Sequence, residues 1–277
     1  MKESIKLEIQ ELKKCESWDI IRKRLLRKLR RDPTNVILLT YLSNAYFEEG
    51  KYKKALEASI KAYSRSPEYP LVLWDYALAL YMNKAFSKSL GSFKTIMSIR
   101  PTAIAKSMNW KIEKAKEFLN ASRFNIALCY IQLDKLGLAI RALESYLKHL
   151  PDCGAYYSPE LAKEKIKNIR RLNAQVANKA LRVWMVFIEI RETSAKKSAK
   201  YVKGFTTGFV LAKTAYIATV SLKKELAAMG FELVEAEDVT EFERARLKTK
   251  LPEETEKLAL ETQRSRRPQF ADFIMYK

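Results

Sequence analysis

Ala45-Tyr-Phe-Glu-Glu-Gly-Lys-Tyr-Lys-Lys-Ala55 reads as a turn between two helices, with Gly50 at the reversal. Small and aromatic residues on either side alternate with charges at helical spacing. Working outward, Pro33, Pro67 and Pro101 bracket this turn at spacings of 34 and 34 residues. A fixed period near this length marks a stack of helix pairs, because one pair cannot bury its apolar face alone. Gly and Pro are scarce, 7 and 8 in 277 residues, which favours long helices over many short strands.

The segment ending at Pro67 carries Leu39, Leu42-Ser43, Tyr46, Ala55 and Ala62 in order. The next carries Leu73, Tyr76-Ala77, Leu80, Ser89, Phe93 and Ile96 before Pro101. A third, ending at Pro151, carries Ile126-Ala127, Tyr130, Ala139, Leu143 and Tyr146. Ile21, Leu25 and Pro33 form a half-matching unit at the front. These residues resemble the tetratricopeptide repeat, whose pattern runs W-x2-L-G-x2-Y, then A-x3-F, then P. The resemblance covers about residues 2–151, with departures at Ser59, which replaces an aromatic, and at Arg123, which stands at a Trp position. Pro151 follows Pro101 by 50 residues, so 16 residues are inserted. Ala105, Met108, Ile112, Ala115 and Leu119 keep helical spacing through the insert, which predicts one long helix with a kink near Asn120. Ser158-Pro159-Glu160 then opens a helix running to about Ala180, suited to cap the stack.

From Arg182 the period changes. Val183–Ile190 and Gly204–Ala212 read as strands, Thr214–Met229 as a helix closed by Gly230, and Phe231–Ala236 as a strand. A short helix follows from Pro252, and Gln269–Tyr276 alternates as a last strand. The expected fold is therefore mostly α: a helical solenoid over 1–180, then a small two-layer α+β domain over 181–277 of order β-β-α-β-α-β. Both amphipathic helices would lie on one face, in a ferredoxin-like arrangement by analogy. Gly204 and Gly208, four apart in a strand pattern, imply close backbone packing or a bulge.

Little here points to chemistry. The one histidine, His149, sits in the last turn of a helix, where positive charge is favoured. Cys15, Cys129 and Cys153 are odd in number and lack CxxC spacing, so neither a disulfide framework nor a zinc site is expected. Cys129, among Ile126, Leu128 and Ile131, reads as a small core residue. Neither GxxxxGK[ST] nor GxGxxG occurs. The acidic cluster Glu235, Glu237, Asp238, Glu241 and Glu243 is interleaved with Arg244, Arg246 and Lys248, and reads as an exposed mixed-charge loop rather than a metal site. No catalytic residue, metal or cofactor is expected. The start lacks the apolar core of a signal peptide, and the uncharged run Thr34–Phe47 is too short to span a bilayer. A cytoplasmic location is the expectation.

Two surfaces remain. In the family resembled, the first helix of each pair lines a concave groove. That implies an inward face of Ile37, Asn44, Phe47, Leu71, Trp74, Leu78, Tyr81, Phe124 and Leu128. Such an apolar groove suits an amphipathic helix or extended peptide, unless this chain's own long helix or C-terminal domain fills it. A clamp for a terminal carboxylate would match only Asn44, since Trp74 and Leu78 replace its polar partners. The second surface is basic: Arg22, Lys23, Arg27, Arg30, Arg31, Lys53, Lys54, Arg170 and Arg171. The net charge is +20, and residues 1–180 hold 34 Lys+Arg against 18 Asp+Glu, a balance of +16. Acidic proteins or phosphate backbones both suit such a surface, and charge alone does not choose between them. The expected function is a non-catalytic protein-interaction adaptor. The alternative is a nucleic-acid-binding accessory protein using the basic face.

Overall fold

The computed structural model describes residues 18–177, 180–193 and 203–276. Cys15 and the start of the repeat pattern lie outside them. The molecule divides into two compact units, Met1–Lys163 and Glu164–Lys277.

In the first unit, α1 (Trp18–Arg31) precedes three helix pairs: α2 (Val36–Glu48) with α3 (Tyr52–Tyr63), α4 (Pro70–Met82) with α5 (Phe86–Met97), and α7 (Ile112–Gln132) with α8 (Leu136–Lys148). A short α6 (Pro101–Met108) lies between the second and third pairs. Sequence sets the starts locally: the Asn35 side chain accepts from Leu38 N at 3.1 Å, while α4 and α6 each open on a proline.

The pairs close on small residues twelve apart. Ser43 Oγ donates to the Ala55 carbonyl at 2.9 Å, and Ser89 Oγ donates to the Ala77 carbonyl at 2.8 Å. The same contact is built from opposite sides, Ser on the first helix in one pair and on the second helix in the next. Ala127 and Ala139, both fully buried, are the equivalents in the third. Cys129 is buried beside them, and burial pushes its thiol up to about 11, so it is protonated at neutral pH. Asn83 Nδ2 ties neighbouring pairs together by donating to the Tyr52 carbonyl at 2.9 Å.

All three pairs use one turn. Gly50, Lys84 and Asp134 have φ of 70°, 62° and 58°. After each, the next residue's N–H reaches back five positions, Lys51 to Tyr46, Ala85 to Leu80 and Lys135 to Tyr130, at 2.8–2.9 Å. This left-handed conformation costs a non-glycine residue roughly 1–2 kcal/mol. Lys84 is exposed. Lys84→Gly is therefore expected to raise stability by about 0.5–1 kcal/mol, after the added unfolded-state entropy of Gly. The urea midpoint reads this directly, and an unchanged or lower midpoint would mean the turn holds no such strain.

The insert departs from the single long helix expected. Asn109 takes φ 53° and ends α6, and Trp110 N donates back to the Ala105 carbonyl at 2.9 Å. Asn tolerates the left-handed region better than other non-glycine residues, so it stops a helix without Gly or Pro. α7 then runs unbroken through Asn120, whose amide donates to the buried Tyr146 carbonyl at 3.1 Å.

α9 (Pro159–Ala177) is capped by Ser158, whose Oγ accepts from Glu160 N at 3.1 Å. The division between units falls inside this helix. Its buried Ile166, Ile169 and Leu172 lie in the part beyond Lys163.

The second unit holds β1 (Arg182–Glu192), β2 (Lys203–Ala212), α10 (Ala215–Ala228), β3 (Phe231–Glu241), α11 (Phe242–Lys248), α12 (Glu253–Ser265), β4 (Gln269–Phe270) and β5 (Ile274–Tyr276). The sheet order is β3-β1-β2-β4, with β5 also on β2, and every pairing is antiparallel. Direct pairing of β1 with β2 rules out the split β-α-β of a ferredoxin-like fold. Nor do the helices share one face. α10 packs Leu222 and Leu226 with Val186, Ile188 and Ile190, whereas Phe242 and Ala259 cluster with Phe209, Val183 and Met185 on the other side. The expected single strand at the end is split in two, and the expected loop after β3 is the helix α11. Gly204 and Gly208 are close-approach glycines: a Cβ would meet the Ile274 carbonyl at 2.6 Å in one case and Leu222 Cδ2 at 2.8 Å in the other.

Candidate functional site

The first-helix face of the solenoid unit is built by α2, α4 and α7. Ile37, Asn44, Phe47, Leu71, Leu78, Tyr81 and Leu128 are half-buried there. Phe47 packs edge-on to Tyr52 at 5.6 Å, and the Tyr81 hydroxyl accepts from Gln132 Nε2 at 3.2 Å.

Trp74 and Phe124 are different. Both are buried, at 7% and 1% exposure, so they are packing residues and not an open groove surface. Part of their cover is the segment after α8. Tyr157 stacks on Phe124 with centroids 4.3 Å apart, and its hydroxyl donates to Asn125 Oδ1 at 3.1 Å. Burial pushes that phenol up to about 12, which keeps it a neutral donor. The Tyr146 hydroxyl donates to the Tyr157 carbonyl and holds the segment down. Tyr156, 58% exposed, stands edge-on to Trp74 at 6.0 Å. The chain itself thus covers part of the face, through this segment and, at Trp74, through Phe118 of α7 at 4.8 Å. The Tyr156-Tyr157 doublet, beyond the last repeat position, was the available sequence signal.

Beside this cover a cavity of about 140 Å³ stays open. Its walls are Leu71, Trp74, Trp110, Phe118, Ala121 and Tyr156, with Lys114 and Glu117 at the side. None of Trp110, Lys114, Glu117, Phe118 or Tyr156 was among the sequence candidates, because the insert and the post-repeat segment that carry them have no counterpart in the repeat pattern.

The basic residues do not form one free surface. Arg22 Nε is 3.0 Å from Glu49 Oε2 and also pairs with Asp19, so it braces α1 against α2. Lys23 pairs with Asp19 at 2.7 Å, and Arg171 with Glu243 at 2.6 Å within the second unit. Arg27, Arg30 and Arg31 are exposed with Arg24 on α1, and Arg170 is exposed on α9. Lys53 and Lys54 rim an open cleft of about 530 Å³ with Lys51 and Lys84, at the turns of the first two pairs.

The acidic cluster also resolves. Glu235, Glu237 and Asp238 are exposed on β3, but Glu241 is buried and bonded to Arg182 at 2.8 Å. Among the described residues no three His, Cys, Asp or Glu side chains group to hold a metal. No helix among them is long and apolar enough to cross a membrane. His149 caps α8, its Nδ1 2.7 Å from the Ser145 carbonyl.

No family model matches the chain. One curated relative does: the TPR repeat-containing protein MJ1428 of Methanocaldococcus jannaschii is 26% identical over 153 residues. The match takes in 53% of this chain and 26% of the relative, so the chain spans about a quarter of that protein's length. The likeness agrees with the helical architecture described above.

Proposed function

We propose that the protein is a non-catalytic adaptor, acting in the cytoplasm, that binds a polypeptide partner along the first-helix face of its solenoid unit. The observation that carries this reading is the row of apolar side chains left half-exposed on successive first helices: Ile37 and Phe47, then Leu71 and Leu78, then Leu128. An apolar row at helical spacing fits the apolar face of a partner helix or an extended peptide. The repeat-containing relative supports it. Exposed Arg24, Arg27, Arg30 and Arg31 would favour an acidic partner by steering.

The test is affinity capture from native lysate with the wild type and a Phe47→Ala/Leu78→Ala variant, each checked for an unchanged circular dichroism spectrum. A protein that survives nuclease and moderate salt on the wild type, and is lost from the folded variant, is the expected result. Capture that survives both substitutions removes this face from consideration. Capture abolished by nuclease or modest salt moves the function to nucleic acid on the basic residues.

A further inference from the structure

The cavity at the insert has walls that an apolar groove does not need. Four aromatic rings follow one another around it. Trp110 and Phe118 lie 5.7 Å apart at 66°, Phe118 and Trp74 4.8 Å apart at 38°, and Trp74 and Tyr156 6.0 Å apart at 71°. The rings form a bent wall, not a flat stack. Its volume, about 140 Å³, is close to that of a cavity known to hold one benzene, about 150 Å³. One polar corner interrupts it: the Glu117 carboxylate, 24% exposed. A cation already visits that corner. Lys114 Nζ sits 6.0 Å from the Trp110 centroid and 3.7 Å from Glu117 Oε2, on a side chain that is 59% exposed.

We propose that this cavity binds a quaternary ammonium group. Aromatic faces carry negative quadrupole density, which attracts a weakly hydrated cation most where water is excluded. Trp74, at 7% exposure, supplies such a dry wall. A trimethylammonium head fills a space of this size with methyl groups against the rings and leaves its charge facing Glu117. An uncharged apolar side chain would fill the same space without using that carboxylate. Lys114 is the resident competitor: its ammonium is smaller and strongly hydrated, and it reaches the site from solvent. The protein's large positive charge does not close the site. The cleft beside it is lined by Lys111 and Lys114 together with Glu113 and Glu117, two charges of each sign, and more distant charges are screened within about 10 Å at ordinary ionic strength. The site shares Leu71 with the face proposed for a partner, but small cations test it with no partner present.

The experiment is calorimetric titration of the full chain with choline, with its uncharged isostere 3,3-dimethylbutan-1-ol, and with a short peptide carrying one trimethyllysine, the ionic strength matched with sodium chloride. Choline or the peptide should bind on the order of tenfold more tightly than the alcohol. Trp110→Ala should remove most of that binding, Glu117→Gln should weaken it several-fold, and Lys114→Gln should strengthen it. Much tighter binding of the peptide assigns the group to a methylated polypeptide, and tighter binding of choline to a free small molecule. Equal affinity for choline and the alcohol would overturn the proposal in favour of a plain apolar pocket. Absence of saturable binding by both cations would overturn it outright. Lys114→Gln separates a blocked site from none, since it keeps the fold and frees the corner.

Discussion

Trp74→Ala is expected to destabilise the solenoid unit by about 3–5 kcal/mol, the range for emptying a large aromatic from a core. Trp74 is 7% exposed and touches Phe93 at 5.5 Å, Phe118 at 4.8 Å and Tyr156 at 6.0 Å. It belongs to the cluster of Leu73, Ala77, Leu90, Phe93, Ile96 and Ile104, which joins the second helix pair to the insert. Truncation removes a ring from the junction of three elements, and the buried side chains around it relax only partly. The melting temperature should fall on the order of 10 °C, at roughly 2–4 °C per kcal/mol for a chain of this size. Urea unfolding followed by circular dichroism measures the loss. A change under 1 kcal/mol would place Trp74 at a surface after all, where it could bear directly on a partner. The expected result explains why binding is better tested through half-buried Phe47 and Leu78: a variant that loosens the core cannot separate a lost contact from a lost fold.

How far the chain reveals itself before folding depends on which interactions are local. The turn at Gly50 is legible because one Gly, the flanking Ala45 and Ala55 and the period of 34 agree. The same turn at Lys84 and Asp134 is not, because neither residue advertises positive φ; only their phase relative to Gly50 does. The break at Asn109 is hidden for a related reason. Ala105, Met108, Ile112 and Ala115 hold helical spacing across it, and a single left-handed Asn leaves that pattern intact. In the second unit, β1 was readable as a strand, but its consequence was missed. Val183 and Met185 alternate with Val186 and Ile188, so both faces are apolar at that end and both need cover. Helices on one face would have left Met185 and Phe209 in water. The first-helix row was legible from the repeat phase, whereas the cavity beside it was not. Trp110, Phe118 and Tyr156 come from an insert and a post-repeat segment that meet Trp74 only in three dimensions.

Glu241 brings out the same point energetically, and its removal is the second large effect expected. By sequence it is one of five acidic residues among arginines; in the structure it is 2% exposed at the end of β3. Its Oε2 lies 2.8 Å from Arg182 Nη1 and 3.3 Å from Arg244 Nε. Arg182 is itself 15% exposed, lies 5.2 Å from the Trp184 ring and donates to the Lys213 carbonyl at 2.8 Å. Glu241→Ala would leave that guanidinium in a dry setting without its carboxylate, a change expected to cost about 3–5 kcal/mol. Arg182→Met should cost less, about 2–3 kcal/mol, because Arg244 still faces the buried carboxylate. The pair is imperfectly served even when intact, since Glu241 Oε1 and Arg182 Nε are buried and find no protein partner. Its attraction therefore offsets its desolvation only in part, and replacing both residues together should be far milder than either alone. The double variant Arg182→Met/Glu241→Leu is expected within about 1 kcal/mol of the parent, which makes the coupling between the two positions several kcal/mol. Four urea curves close that cycle. Additive losses would show that each residue acts through its own packing, and would leave the ion pair with no role in joining the end of β3 to β1.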